Sequence, residues 1–285
     1  MSNETIKRIT SKSLIRMKES GEKITMLTAY DFATAKYVDE AGIDSILVGD
    51  SLGMTMLGYD DTVKVTMEEM AVFTKAVSRG VKRAMIIADM PFLSFQISKE
   101  QTLMNAGKLV QSGANAVKIE GGSDFIIEQV NALTEAGISV VAHLGFTPQF
   151  INTIGGYYVQ GKSYENTIKM SETAKKLEKA GACALVLEMV SEESAKYISE
   201  NLTIPTIGIG AGKYCDGQVL VIDDVIGRFW GNIPKFAKQY ANIKDIIKNA
   251  VSQYAQEVKK SIFPSAEHTF KLSTEEKKKF DYINK

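Results

Sequence analysis

The sequence is poor in cysteine, has no excess of either charge and contains no long uninterrupted apolar run, and each shortage narrows what the chain can be. Its two cysteines, Cys183 and Cys215, stand far apart and in no metal-binding spacing, which argues against zinc and for a reducing compartment. Cys183, beside an apolar run, reads as a small buried hydrophobe. Lysine plus arginine and aspartate plus glutamate number 34 each, so no basic field exists to hold nucleic acid or an anionic membrane. The expected partner is a small molecule. No apolar segment approaches the roughly 18 residues of a membrane span, and the first ten residues lack the apolar core of a secretion signal. The expectation is a cytoplasmic protein without membrane or nucleic-acid partners.

What is present is ordinary globular composition, 45% hydrophobic and 24% charged, in a chain of 285 residues. That length suits one α/β barrel, which commonly runs to about 250 residues. Eight short apolar runs can be marked, at residues 24–30, 45–49, 84–88, 116–119, 139–142, 184–187, 206–209 and 218–222. They are nearly continuous in Val, Ile, Leu and Ala, the pattern of parallel strands covered by helices. Amphipathic segments fill most gaps. Residues 66–78 place Met70, Phe73, Thr74 and Val77 on one stripe, and Ser98 with Gln101 three residues on reads as a capping box. A glycine recurs where helix gives way to strand, at Gly42, Gly113, Gly137 and Gly181, each fitting the position just past a helix end. Strand alternating with helix eight times predicts a (β/α)8 TIM barrel, with a doubly wound open sheet as the rival. The barrel is assigned to residues 1–270 as one catalytic domain, and 271–285 to a polar tail. Residues 147–161, glycine-containing and too long for a tight connection, suggest either a lid or an inert surface excursion.

Five of the runs end in a titratable group: Asp50 followed by Ser51, Asp89, Glu120, His143 and Glu188. Burying such groups unpaired costs several kcal/mol, so the strand ends should meet around a metal, a ligand or one another. Period-two alternation sets Lys118 on the same face as Glu120, inside the barrel, where it must be paired. If Asp50, Asp89 and Glu120 converge, one divalent cation plus Lys118 would balance their charge, and an all-oxygen donor set favours Mg²⁺. The alternative is private pairing of each acid, as Asp89 with Arg83. His143 could donate to a ligand oxygen or be a satisfied core residue. Glu188, between Leu187 and Met189, could be a base with a raised pKa or an acid at the start of the helix that Ser191 opens. The glycines of 208–212 fit an anion-binding turn or close packing.

Beyond these readings, several stretches together resemble the ketopantoate hydroxymethyltransferase family: Val48-Gly-Asp-Ser-Leu-Gly-Met54, Asp89-Met-Pro-Phe92, Val117-Lys-Ile-Glu-Gly-Gly122, His143-Leu-Gly-Phe-Thr-Pro-Gln149, Gly155-Gly-Tyr157 with Val159-Gln-Gly161, Leu187-Glu188, and Ile207-Gly-Ile-Gly-Ala-Gly212. The resemblance runs in order from about residue 24 to 270. It implies a TIM barrel of the phosphoenolpyruvate mutase/isocitrate lyase superfamily. The implied reaction is transfer of a hydroxymethyl group from methylenetetrahydrofolate to 3-methyl-2-oxobutanoate (α-ketoisovalerate), giving ketopantoate through a Mg-stabilised enolate in pantothenate biosynthesis. It further implies Mg²⁺ at Asp50, Asp89 and Glu120, partly through water, keto-acid contacts from Asp50, Ser51, Asp89, Lys118 and His143, Glu188 as base, and a homodecamer. The chain departs from the family pattern at Phe73, Leu93, Phe95 and Tyr158 and across 228–232, none a metal or base position. A carbon–carbon lyase of the superfamily is the enzymatic rival, but the loop cysteine such lyases use has no counterpart here. A non-catalytic binding protein would need no base at Glu188.

Overall fold

An apolar run of four to seven residues is stable as a strand when helices cover one face and a barrel interior receives the other. The computed structural model describes residues 7–229, 231 and 233–283, and the eight runs form β1 (Ile24–Thr28), β2 (Ser45–Val48), β3 (Met85–Asp89), β4 (Ala116–Glu120), β5 (Ser139–Gly145), β6 (Ala184–Glu188), β7 (Thr206–Ile209) and β8 (Gly217–Leu220). Every neighbouring pair is parallel and β8 pairs with β1, closing a (β/α)8 TIM barrel. The open-sheet rival is thereby excluded.

Alternating residues divide the hydrophobic core in two. One set, including Ile46, Ile86, Val117, Val140 and Leu185, packs outward under the helices. The other, including Met26, Leu47, Ile87, Val141, Val186 and Val219, fills the barrel. Leu14 and Met17 of the helix Ser11–Ser20 join this inner set, plugging the end of the barrel where the strands begin. The barrel is left open at its carboxyl end, the end that usually carries the ligand site in this fold.

The helix Met67–Gly80 begins with a full capping box between Thr66 and Glu69, buries Met70, Thr74 and Val77, and packs a half-buried Phe73 against the core. Ser98 caps Lys99–Gln111 by accepting from the Gln101 N–H at 3.2 Å, without the return bond that would complete a box. Gly113 and Gly181 show why the helix-to-strand junctions carry glycine: their φ values are 109° and 98°, and a Cβ would meet Ser78 or Thr134.

The structure corrects several boundaries. β1 stops at Thr28, and β8 begins one residue early and ends at Leu220 because Ile222 already opens the short helix Ile222–Ile226. The β7–β8 connection, residues 210–216, is a loop, so helix does not follow every strand. Gly210 and Gly212 in it are crowded by Phe236 and Glu192, which favours close packing as their role. Beyond the barrel, the helix Ile243–Lys259 has no buried residue, and the tail holds the helix Thr274–Ile283. Trp230 and Asn232 of the unusual 228–232 segment lie outside the described residues.

Candidate active site

Strand register decides which side chains share a level at the open end. Asp89 pairs with Lys118 across β3 and β4, Glu120 with His143 across β4 and β5, and Glu188 with Gly145 and Ile209. Asp50 is not the last residue of β2 but lies two positions beyond Val48, and its backbone N–H donates to Asp89 Oδ2 at 3.0 Å. Ser51 follows in the same turn, its hydroxyl 2.8 Å from that of buried Tyr30. All seven residues singled out at the strand ends line one pocket of about 550 Å³.

Lys118 is the charge centre. Its Nζ lies 3.1 Å from Glu120 Oε1 and 3.4 Å from Asp89 Oδ1, and all three groups are buried. Burial opposes the ammonium, but Asp89, Glu120 and Asp50 outweigh it and hold its pKa above the usual lysine range. Burial also opposes charge on Glu120, yet the Lys118 ammonium brings its pKa below the ordinary value. Asp50 and Asp89 are the losers. Burial, and for Asp50 the facing carboxylates, raise both, Asp50 well above normal. Asp89 Oδ1 has an attractive neighbour in Lys118 but no hydrogen-bond partner.

His143 sits within β5 and is kept neutral by burial and by Lys118. Nδ1 lies 3.2 Å from Lys118 Nζ and 3.3 Å from Glu120 Oε1; because the ammonium can only donate, we assign Nδ1 as the acceptor and place the proton on Nε2. Nε2 has no hydrogen-bond partner and points toward Glu188 Oε2, 3.5 Å away. Burial, then Glu120, pushes Glu188 up to about 8. The helix-cap role is not the one it fills: the next helix, Glu192–Glu200, starts from Ser191, while Glu188 faces the pocket. The proposed Arg83–Asp89 pair is also absent, since Arg83 binds Asp44 at 2.7 Å on the far side of the barrel from the site. Cys183 and Cys215 are buried and take no part.

Two features have little signature in the sequence. Gln149, in the turn Pro148–Phe150 after β5, donates from Nε2 to Asp50 Oδ2 at 2.8 Å and from its backbone N–H to Glu120 Oε2 at 3.1 Å. The segment 147–161 is also more than a surface excursion. Tyr157 stacks on buried Phe146 with ring centroids 4.9 Å apart and lines the pocket, and Gln160 is bridged to Met189 and Ser191. Of the positions that depart from the family pattern, Phe95 is buried in the core, Tyr158 is exposed, and Leu93 holds φ 62°, a left-handed conformation that glycine adopts more easily.

The donor chemistry fits a hard divalent cation: three buried carboxylates share one lysine, two of them disfavoured as anions without further positive charge, and one carboxylate oxygen lacks a donor. Among the described residues no three acidic, histidine or cysteine side chains are already gathered as a ready ligand set. An ion held here would therefore keep water or substrate oxygens among its ligands, as Mg²⁺ commonly does.

Comparison with known proteins agrees with the geometry. Residues 8–266 match the family model described as ketopantoate hydroxymethyltransferase. The chain is 54% identical over 272 residues to the 3-methyl-2-oxobutanoate hydroxymethyltransferase of Thermoanaerobacter sp. (strain X514), covering 95% of this chain and 99% of that one. It is 53% identical to the protein of the same name from Bacillus cereus (strain AH187), covering 94% and 96%. Among solved structures it is similar in fold to a phosphonopyruvate hydrolase complexed with oxalate and Mg²⁺ (TM-score 0.58, 14% identity, 91% and 93% covered). It is likewise similar to 2,3-dimethylmalate lyase, a member of the PEP mutase/isocitrate lyase superfamily (TM-score 0.56, 17% identity, 96% and 98% covered).

Proposed function

The chain belongs to the ketopantoate hydroxymethyltransferase family, and from that premise we propose that it transfers a hydroxymethyl group from methylenetetrahydrofolate to 3-methyl-2-oxobutanoate, forming ketopantoate for pantothenate biosynthesis. The observation that carries the reading is the buried set of Asp50, Asp89 and Glu120 around Lys118 with Glu188 across the pocket.

Asp50, Asp89 and Glu120 would hold Mg²⁺, which when bound supplies the Lewis-acid charge that makes the carbon next to the keto group acidic. Lys118 pairs with the substrate carboxylate, and Ser51 offers a hydroxyl beside Asp50. The Nε2–H of His143 donates into the pocket. Glu188 takes the proton from the carbon beside the keto group, as a carboxylate whose basicity burial has raised. The electron pair left on that carbon then forms the new C–C bond to the methylene carbon of the folate, whose two bonds to nitrogen break; water supplies the hydroxyl oxygen in place of the second nitrogen, and the proton from the keto acid and one from water go to the two nitrogens, leaving tetrahydrofolate. Tyr157, resting on Phe146, lines the mouth of the pocket where the folate would enter.

We place this chemistry in residues 1–270 of a cytoplasmic enzyme, with 271–285 as a non-catalytic extension. No helix among the described residues is long and apolar enough to cross a membrane. A homo-oligomer, a decamer in the family reading, is supported by the helix Ile243–Lys259, which leaves Ile246, Ile247, Val251, Tyr254 and Val258 exposed. The direct test is turnover of 3-methyl-2-oxobutanoate with methylenetetrahydrofolate and Mg²⁺. Ketopantoate should form and should cease to form with a chelator, and its absence under these conditions would remove the reading.

A further inference from the structure

Gln149 makes four polar contacts, three of them through its side chain, and the proposed reaction leaves it without a task. Its Nε2 donates to Asp50 Oδ2 at 2.8 Å and to the Met90 carbonyl at 2.9 Å, its backbone N–H donates to Glu120 Oε2 at 3.1 Å, and its Oε1 lies 3.5 Å from Gln96 Nε2. The residue is buried, so these bonds are not shared with solvent. Two acceptors at Nε2 fix the orientation of the amide: with the oxygen in its place, two oxygens would face it.

We propose that Gln149 is a positioning residue that aims two of the three acids of the metal site, resting this on the reading of Asp50, Asp89 and Glu120 as the cation's ligands. Asp50 stands on a turn past the end of β2, and Gln149 is the donor to its carboxylate from another element. By engaging Oδ2, the amide leaves Oδ1 as the oxygen presented to a ligand. Glu120 is already held at Oε1 by Lys118, and the Gln149 N–H takes Oε2. Met90 directly follows β3, so the same amide ties the ends of β2 and β3 to the turn after β5. Gln149 also begins the segment that carries Tyr157 over the pocket mouth. The loop and the carboxylates are thus joined through one residue.

Gln149→Met keeps the length and approximate bulk while deleting the donor. Gln149→Asn keeps the amide but shortens its reach. Binding of Mn²⁺, followed by the loss of its free-ion spin-resonance signal, should weaken by about 10- to 100-fold in both variants with no substrate present, the usual cost of removing a group that orients a ligand. Thermal midpoints should fall modestly, since two buried acceptors lose their donor, while the variants stay folded, and activity should recover in part as Mg²⁺ is raised. Asp50→Ala, which removes a ligand outright, should instead abolish binding, whereas the two Gln149 variants keep the N–H that holds Glu120. Parent-like Mn²⁺ affinity in both, whatever happens to stability, would overturn the inference while leaving the metal site standing. Failure of both variants to fold would also overturn it, placing Gln149 in the scaffold. A parent protein without Asp50-dependent Mn²⁺ binding would remove the metal site and the inference together.

Discussion

His143 and Glu188 face each other across the β5–β6 boundary, Nε2 to Oε2 at 3.5 Å, with the imidazole held neutral and its proton on the side of the carboxylate. A donor aimed at a buried acid favours the ionised form, the form a base must have.

The pH profile should carry this relationship. Glu188 is raised to about 8 by burial, so base activity is present above its folded-state pKa and lost as pH falls through it. Bound cation charge moves that point down, so kcat/KM should rise with an inflection between the ordinary glutamate value of about 4.3 and about 8. His143→Phe removes the donor and should move the inflection upward. An unmoved or lowered inflection would show that His143 does not support the carboxylate.

Asp50→Asn should separate site from scaffold. The raised pKa of Asp50 means that folding disfavours its ionised form, so above its unfolded-state value this carboxylate costs stability in the metal-free protein. The metal-free Asn variant should melt at or above the parent's midpoint. The parent should gain stability on adding Mg²⁺ and the variant should not. A lower midpoint without metal would mean that Asp50 serves the fold.

Lys118→Met keeps the stem and deletes the charge. Keto-acid affinity should fall by about 1.5 kcal/mol or more, the scale of a charge-assisted hydrogen bond. Lys118 also holds Glu120 below its ordinary pKa, so without it that carboxylate titrates upward and becomes costly once ionised. The variant should lose more stability relative to parent at pH 8 than at pH 5. Melting curves at the two pH values check the sign, and calorimetry with 3-methyl-2-oxobutanoate checks the affinity.

Val251 and Tyr254 expose apolar surface on a helix that buries nothing in its own subunit. Val251→Glu combined with Tyr254→Glu should lower the mass measured by light scattering on a sizing column, with little change in helical circular dichroism. An assembly of parental mass would place the subunit contact elsewhere.

The barrel and most of the site were legible because their chemistry is local. A continuous apolar run that ends in Asp89, Glu120 or Glu188 states both the strand and the group at its end, and period two places Lys118 beside Glu120. Glycine repeats marked junctions for a backbone reason that the positive φ values bear out. What the sequence hid depends on contacts between distant segments. Asp50 is a site residue partly through its N–H on Asp89, and a glutamine after a proline in a loop carries no sign that its amide will reach Asp50, 99 positions away. The short β8 and the helix-free link before it were misjudged because Val221 and Ile222 continue the apolar run while the chain turns into a helix. Tyr30, read as the last residue of a strand, lies past its end and supports Ser51.

The central claim is that Glu188 removes a proton from the keto acid, and that step can be watched without folate. 3-Methyl-2-oxobutanoate has one proton on the carbon beside its keto group. In D₂O with Mg²⁺ the parent should exchange it, followed by proton NMR. Glu188→Gln should slow exchange by about 10²- to 10⁴-fold, the usual weight of a general base, while Mg²⁺ and keto acid still bind. Exchange at the parental rate in the Gln variant would contradict the account and assign the proton to another group.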